Sequence, residues 1–118
     1  MFTCGIIEDE YLAQELLVKY INRFVGLEIK WLIETITSPS ELPNVDIVFL
    51  DLLDNPSNDF RIGPEMRHFA AHFSNIIITS AFPPESVAQV SIPHVQLLTK
   101  PYTYHDFANA VTQTMANF

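Results

Sequence analysis

Apolar and polar residues follow two different patterns along this chain. Residues 2–7 (FTCGII) form a short apolar run, which is typical of a buried β-strand. From Tyr11 onwards, apolar side chains recur every four residues, the spacing of an amphipathic α-helix. Gly26 is expected to end this helix. The apolar face of the helix comprises Leu12, Leu16, Tyr20 and Phe24, with Leu17 and Ile21 alongside.

The same two patterns alternate to the end of the sequence. Four more strands are expected, at residues 28–36, 45–50, 75–79 and 95–98. Helices are expected at residues 64–73, at residues 85–90 and after Thr103. Thr103 and Asp106 are the expected cap residues of the last helix. Its inner face comprises Phe107, Ala110, Val111 and Met115.

A helix between the second and third strands is expected to be very short. Ser38 and Pro39 match the start of a helix, and Glu41 completes a capping-box pattern. Pro43 and Asn44 follow almost at once, however, which leaves room for about one turn. The second of five helices is therefore expected to be shortened.

The strands are apolar on both faces, which is typical of a parallel sheet that helices cover on each side. Strand and helix alternate five times within 118 residues. The predicted fold is therefore α/β, with one doubly wound, five-stranded parallel sheet in the flavodoxin-like strand order 2-1-3-4-5. The length is that of a single domain.

Charge and hydropathy narrow the classes of function. The net charge is −8, and because nucleic-acid backbones are bound by clustered Lys and Arg, direct nucleic-acid binding is not expected. No apolar run approaches the length of a membrane span, and acidic residues 8–10 interrupt the N-terminal run, so no membrane segment or signal peptide is expected. A cytoplasmic protein is the natural expectation. The single cysteine, Cys4, excludes an internal disulfide.

Polar side chains stand where the predicted strands end, which is where open α/β sheets bind ligands. They are Glu8 and Asp9 at the end of strand one, Asp51 at the end of strand three, Thr79 and Ser80 at the end of strand four, and Thr99 and Lys100 at the end of strand five. Asp51 alone would also fit a surface aspartate at a strand end. Three carboxylates that converge on one volume repel each other unless a cation such as Mg²⁺ neutralises them. A lysine and a hydroxyl nearby would suit a phosphoryl group on one carboxylate.

Four segments resemble the receiver domain of bacterial two-component response regulators. They are IIEDE at 6–10, DIVFLDLL at 46–53, IIITSA at 76–81 and LLTKPY at 97–102. The four segments occur in the family's order, and each lies at a strand end, which makes the resemblance specific. It covers essentially the whole chain. It implies a single receiver domain over residues 1–118, which a sensor histidine kinase phosphorylates and which is not an enzyme in the usual sense.

The resemblance implies a role for each residue that matches a family motif. Asp51 would be the phosphoacceptor. Glu8, Asp9 and Asp51 would hold Mg²⁺, with the backbone carbonyl of Leu53 as a further ligand. Lys100 would pair with the phosphoryl oxygens, and the peptide bond that follows it is typically cis in this family.

The resemblance also implies a conformational switch. Ser80 would turn its hydroxyl towards the phosphoryl group, and Thr79 would take that role if the strand register differed by one. The family often has Tyr or Phe three residues before the lysine, where this chain has Leu97, and the loop after Asp51 is longer and more polar than usual. Leu53 and Phe82 each lie two residues after a site residue and are bulky. They should hinder an attacking water, so slow loss of the phosphoryl group is expected.

Other functions stay open on the sequence alone. A pseudo-receiver would use the same fold for binding or dimerisation without phosphorylation. A hydrolase of the haloacid dehalogenase type is disfavoured, because its second aspartate is replaced by Leu53. A mononucleotide binder would need a glycine-rich or hydroxyl-rich phosphate loop where residues 8–10 are acidic. His68 and His72 are spaced to share a metal, but no third ligand is near in sequence, so a solvated helix face is favoured.

Overall fold

The computed structural model describes residues 1–51, 64–88 and 92–118. Its strands are β1 Phe2–Ile7, β2 Leu27–Ile33, β3 Ile47–Asp51, β4 Ile76–Ser80 and β5 Gln96–Thr99. They pair in parallel in a single sheet with the order β2-β1-β3-β4-β5. The predicted fold class and strand order are confirmed.

Helices connect the strands and cover the sheet. They are α1 Tyr11–Arg23, α2 Pro64–Ala71, α3 Pro84–Val87 and α4 Tyr104–Met115, with a 3₁₀ helix at Pro39–Glu41 between β2 and β3. The 3₁₀ helix is the predicted shortened second helix, so the predicted fourth and fifth helices correspond to α3 and α4. No helix among the described residues is long and apolar enough to span a membrane.

Most element boundaries lie close to the predicted ones. The largest departure is β2, which ends at Ile33 rather than at residue 36. Its neighbour β1 ends directly opposite, at Ile7, and a strand cannot continue without a partner for its backbone hydrogen bonds. The end of the predicted fourth helix, at residues 89–90, lies outside the described residues.

Each face of the sheet has its own apolar core, because successive strand residues point to opposite faces. The core under α1 and α4 contains Ile6, Phe49, Ile77 and Leu98 from the strands, with Leu17, Ile21, Phe107 and Val111 from the helices. The core under α2 and α3 contains Ile7, Val48, Leu50, Ile76 and Ile78, with Met66, Phe69 and Val87. The α4 residues Phe107, Ala110 and Val111 are buried as predicted, whereas Met115 is half-buried.

The buried face of α1 differs from the predicted apolar face. Leu17 and Ile21 are buried as expected, but Leu12 is 68% exposed, and Gln14 is buried instead. Residues 14, 17 and 21 share one helix face, and Leu12 lies off that face. The prediction for Leu12 was therefore wrong. The helix also ends before Gly26, whose φ of 96° favours glycine in the turn that follows.

The two predicted capping boxes had different outcomes. At α4, Thr103 Oγ1 accepts a hydrogen bond from the Asp106 N–H, and the Asp106 carboxylate accepts one from the Thr103 N–H. That box is confirmed. Ser38 precedes the 3₁₀ helix without a capping hydrogen bond, so the second box is wrong. The Glu41 carboxylate instead accepts a hydrogen bond from the hydroxyl of Thr37.

Candidate functional site

The carboxyl edge of the sheet brings β1 and β3 side by side. Ile7 at the end of β1 pairs with Leu50 of β3, so the residues that follow on each strand lie next to each other. These residues are Glu8 and Asp51. Both are buried, at 3% and 6% exposure, which is unusual for carboxylates without a nearby opposite charge.

Three carboxylates form a compact cluster at this edge. Oxygen atoms of Glu8, Asp9 and Asp51 all lie within 4.8 Å of one another. Asp9 is exposed, whereas the other two are buried, so the cluster opens to solvent on one side. Hard carboxylate oxygens at this spacing suit a divalent cation such as Mg²⁺. Among the described residues, no other group of His, Cys, Asp and Glu has this geometry. His68 in α2 and His72 directly after α2 are both exposed.

Lys100 joins the cluster from the far side of β4. Its ammonium group donates hydrogen bonds to Glu8 Oε1 at 2.7 Å and to Asp51 Oδ1 at 3.0 Å. Burial alone would lower the pKa of Lys100, but the hydrogen bonds and charges of the two carboxylates outweigh burial and raise it. Lys100 therefore stays charged at neutral pH.

Asp51 is held in an environment that disfavours its charge. Burial raises its pKa from 3.8 to about 7, and the charge of Glu8 adds to the increase, while Lys100 opposes it. One lysine thus only partly compensates the acidic cluster. A second cation at this edge would favour the ionised form of Asp51.

A buried glutamine supports the cluster from α1. The Gln14 side-chain amide donates a hydrogen bond to the backbone carbonyl of Glu8, and the Glu10 N–H donates one to Glu8 Oε2 at 3.3 Å. Both contacts hold the chain where β1 turns towards α1. The sequence analysis missed Gln14, and the available signal was its spacing with Leu17 and Ile21 on one helix face.

Two adjacent hydroxyl residues end β4 and point in opposite directions. Thr79 pairs with Asp51 in register, whereas Ser80 pairs with Thr99 of β5. Ser80 is fully buried, and its Oγ accepts a 2.9 Å hydrogen bond from the N–H of Phe82. The hydroxyl predicted to switch is thus bonded to the loop after β4.

The remaining predicted site residues differ in how far the structure describes them. Leu97 is half-buried and packs against the core under α2 and α3. The Lys100–Pro101 peptide bond is cis, as the resemblance implied. Leu53 and the polar loop after Asp51 lie outside the described residues.

An apolar groove adjoins Lys100. It runs between the start of α1 and the segment after β5, and Leu12, Leu16, Pro101 and Tyr102 contribute to its lining. Leu12 is 68% exposed here. Leu12, which was predicted to lie on the buried face of the helix, thus stands at the surface in a groove that includes Lys100.

Comparison with known proteins gives a clear result only at the level of structure. No family model matches the chain, and no curated protein matches it. Solved structures, in contrast, match it over nearly its full length. The response regulatory domain of mrkE from Klebsiella pneumoniae has a TM-score of 0.72 and 21% identity, and the match covers 98% of this chain and 96% of that one.

Two further similar structures bear on the site. TrrA from Thermotoga maritima in complex with Mg²⁺-BeF has a TM-score of 0.73 and 19% identity, with coverage of 97% and 99%. A complex of a CheA3 domain with CheY6 from R. sphaeroides matches with a TM-score of 0.76 and 16% identity, with coverage of 98% and 97%. The chain therefore has the fold of a response regulator receiver domain, and the predicted resemblance is confirmed for the fold.

Proposed function

We propose that residues 1–118 form a single receiver domain that accepts a phosphoryl group on Asp51 in a Mg²⁺-dependent reaction. The observation that carries the proposal is a cluster of three carboxylates, of which only two bond the ammonium group of Lys100. A purely structural ion pair would need one carboxylate for one lysine. The excess negative charge in a partly buried site is what a divalent cation would neutralise.

The acidic cluster supplies the protein ligands for the cation. Glu8, Asp9 and Asp51 offer carboxylate oxygens, and the backbone carbonyl of Leu53 is the further ligand that the resemblance implies. Bound Mg²⁺ would offset the charge of the carboxylates and of an incoming phosphoryl group. The similar protein TrrA was solved in complex with Mg²⁺-BeF, which supports this choice of metal.

Asp51 is the proposed nucleophile. One of its carboxylate oxygens attacks the phosphorus of a phosphohistidine on a sensor kinase, so that an O–P bond forms while the N–P bond breaks. The electron pair of the broken bond stays on the imidazole nitrogen. Lys100 Nζ lies 3.0 Å from Oδ1 of the attacking carboxylate, close enough to exchange that contact for one with a phosphoryl oxygen. The product is a phosphorylated protein that serves as a signal.

Ser80 and Leu97 are the proposed switch residues. To reach a phosphoryl oxygen, the Ser80 hydroxyl must leave the N–H of Phe82 that it now binds, which changes the loop after β4. Leu97 lies on the same face of the sheet as Ser80 and packs, like Phe82, against the core under α2 and α3. It would repack as the loop moves, without the aromatic rotation that is common in this family.

The partners follow from the same reasoning. The kinase must bring its phosphohistidine to Asp51, and the exposed apolar groove around Leu12 beside Lys100 is a suitable docking surface. The similar structure of a CheA3 domain with CheY6 supports a protein as the phosphoryl donor. The proposal also includes a cytoplasmic location, a homodimer through α3 and α4, and an output domain as the downstream partner.

A pseudo-receiver is the second candidate. Two observations favour it: Leu97 stands where an aromatic residue is common, and Lys100 already bonds two of the three carboxylates. In that function the domain would bind a constitutive partner with Lys100 as a structural cation.

Intact mass after incubation with acetyl phosphate and Mg²⁺ separates the two functions. We expect the wild-type protein to gain the mass of one phosphoryl group. The gain should disappear with EDTA and in Asp51→Asn, whose side chain keeps its shape but is not a nucleophile. Glu10→Gln is the matched control, because it removes an exposed neighbouring carboxylate outside the cluster, and it should still be phosphorylated. A wild-type protein that gains no mass would favour the pseudo-receiver.

A further inference from the structure

Lys100 reaches Asp51 across an intervening strand. It follows β5, whereas Asp51 ends β3, and β4 lies between those two strands. Neighbouring strands are about 4.8 Å apart. The Lys100 side chain therefore crosses the end of β4 before its Nζ meets Asp51 Oδ1 at 3.0 Å. The β4 residue that lies beneath the Lys100 side chain is therefore part of the site.

Thr79 is the residue at that position. Its Cα pairs with that of Asp51, and it lies two residues after Ile77, whose side chain belongs to the core under α1 and α4. Because strand residues alternate between faces, Thr79 shares the face of Asp51 and Lys100. Ser80 occupies the opposite face. Of the two adjacent hydroxyls, that of Thr79 stands beside Asp51 and below Lys100.

The Thr79 hydroxyl has no assigned role in the fold. Thr79 is only 2% exposed, and no hydrogen bond links its hydroxyl to another described residue. Among the described residues, every side-chain oxygen that is fully buried has a hydrogen-bond partner. The hydroxyl therefore keeps a small contact with solvent and is available as an acceptor.

The ammonium group of Lys100 has a donor to spare. It carries three N–H donors, and Glu8 and Asp51 take two of them. A cation bound by those carboxylates weakens their hold on Lys100, which must then turn to a phosphoryl oxygen. Because the side chain spans the end of β4, where Thr79 pairs with Asp51, Thr79 Oγ1 is an uncommitted acceptor along its path.

We propose that Thr79 is a positioning residue that accepts a hydrogen bond from Lys100 and orients its ammonium group towards the phosphoryl group on Asp51. This inference rests on the proposed phosphorylation of Asp51 and assigns the two β4 hydroxyls separate tasks. Ser80 serves the conformational switch on one face of the sheet. Thr79 serves phosphoryl transfer on the other.

Two substitutions separate the hydroxyl of Thr79 from its shape. Thr79→Val keeps the branched side chain and removes the oxygen, whereas Thr79→Ser keeps the oxygen and removes the methyl group. With acetyl phosphate and Mg²⁺, we expect the initial rate of phosphorylation to fall about tenfold in the valine variant, the usual effect of losing a hydrogen bond to a charged group. The serine variant should stay within about twofold of the wild type.

Lys100→Met provides the second test, because Thr79 is proposed to act through Lys100. Adding Thr79→Val to Lys100→Met should cause no further loss of rate. Urea unfolding of each variant distinguishes a folded protein with a low rate of phosphorylation from a destabilised one. If the valine variant does not fold, Thr79→Ala against Thr79→Ser makes the same comparison.

The possible outcomes are distinguishable. A valine variant as fast as the wild type, or a serine variant as slow as the valine one, would overturn the role of the Thr79 hydroxyl alone. Additive losses in the double variant would overturn the route through Lys100. A wild-type protein that is never phosphorylated would overturn the proposed function, and this inference with it.

Discussion

The indole ring of Trp31 lies directly over Gly5, its partner across the pair of strands β1 and β2. A Cβ atom at position 5 would lie 2.2 Å from carbon atoms of the ring. Trp31 is buried, and its Nε1–H donates a 3.1 Å hydrogen bond to the carbonyl of Pro43. It packs edge to face with Phe69 of α2. The indole thus forms part of the core under α2 and α3.

Gly5→Ala should therefore destabilise the fold. The new methyl group must displace a buried ring that a hydrogen bond and aromatic neighbours hold in place. We expect the free energy of unfolding to fall by about 2–3 kcal/mol, the usual cost of overpacking a core. Urea denaturation, followed by the fluorescence of the single tryptophan or by circular dichroism, measures this change.

A double-mutant cycle with Trp31→Leu identifies the cause. If the clash with the indole is responsible, Gly5→Ala should cost much less when residue 31 is leucine. Equal costs in both backgrounds would show that the loss comes from the backbone at position 5 and not from the ring.

The fold and the meeting of the polar residues at one edge of the sheet were predictable because they depend on local patterns. Apolar runs such as residues 47–50 can be buried on both faces only in a covered parallel sheet. The polar residues that end those runs must then share one edge, which brings Glu8 beside Asp51. Strand ends and the helix cap at Thr103 are likewise local features.

The features that the sequence analysis missed depend on contacts between distant residues. Gln14 is polar, and only its hydrogen bond to the carbonyl of Glu8 explains its burial. Gln14 lies on the buried face of α1, and Leu12 is left at the surface. The fit of Trp31 over Gly5 depends on a shift of register between β1 and β2 after Cys4. Neither a helical period nor a strand period encodes such contacts.

Asp51→Asn should stabilise the metal-free protein at neutral and alkaline pH. The pKa of Asp51 rises from 3.8 when unfolded to about 7 when folded, so the folded state binds more protons between these values. Stability then falls as pH rises from about 4 to about 7, and the loss persists above that range. Asparagine carries no charge, so near pH 8 we expect it to increase the free energy of unfolding by roughly 2–4 kcal/mol.

Urea denaturation in EDTA across this pH range checks the prediction. The difference in the free energy of unfolding between Asp51→Asn and the wild type should widen as pH rises and disappear towards pH 4. Glu10→Gln, at an exposed neighbouring carboxylate, should show no such widening. A constant gap would mean that packing, and not the charge of Asp51, distinguishes the variant.

Mg²⁺ should stabilise the folded protein through the acidic cluster. A ligand that binds only the folded state adds about 2.7 kcal/mol at roughly 100 times its Kd. Thermal unfolding near neutral pH should therefore shift to higher temperature as MgCl₂ is added at constant ionic strength.

Asp9→Asn and Glu10→Gln form a matched pair for this titration. Both remove one charge from adjacent exposed residues, but only Asp9 belongs to the cluster. Asp9→Asn should require much more Mg²⁺ for the same shift, whereas Glu10→Gln should behave like the wild type. Equal responses of the two variants would indicate general charge screening and no specific site.

The phosphoryl group on Asp51 should be lost slowly, and Phe82 should be one cause. Hydrolysis needs a water molecule in line with the O–P bond. Phe82 is half-buried, and its N–H donates a hydrogen bond to Ser80 Oγ at the end of β4, so its position is tied to the proposed switch residue. An apolar ring there excludes water without offering a hydrogen bond to orient it.

Comparing the rate at which Phe82→Asn and Phe82→Leu lose the phosphoryl group tests whether the apolar side chain at position 82 slows hydrolysis. Asparagine can hydrogen-bond a water molecule, so we expect it to speed the loss of the phosphoryl group several-fold after excess acetyl phosphate is removed. Leucine keeps the apolar bulk and should preserve the slow rate. Intact mass followed over time gives both rates. If both variants lose the phosphoryl group faster than the wild type and at the same rate, the aromatic packing of the loop controls the rate. The two variants differ in polarity, whereas both lack the aromatic ring.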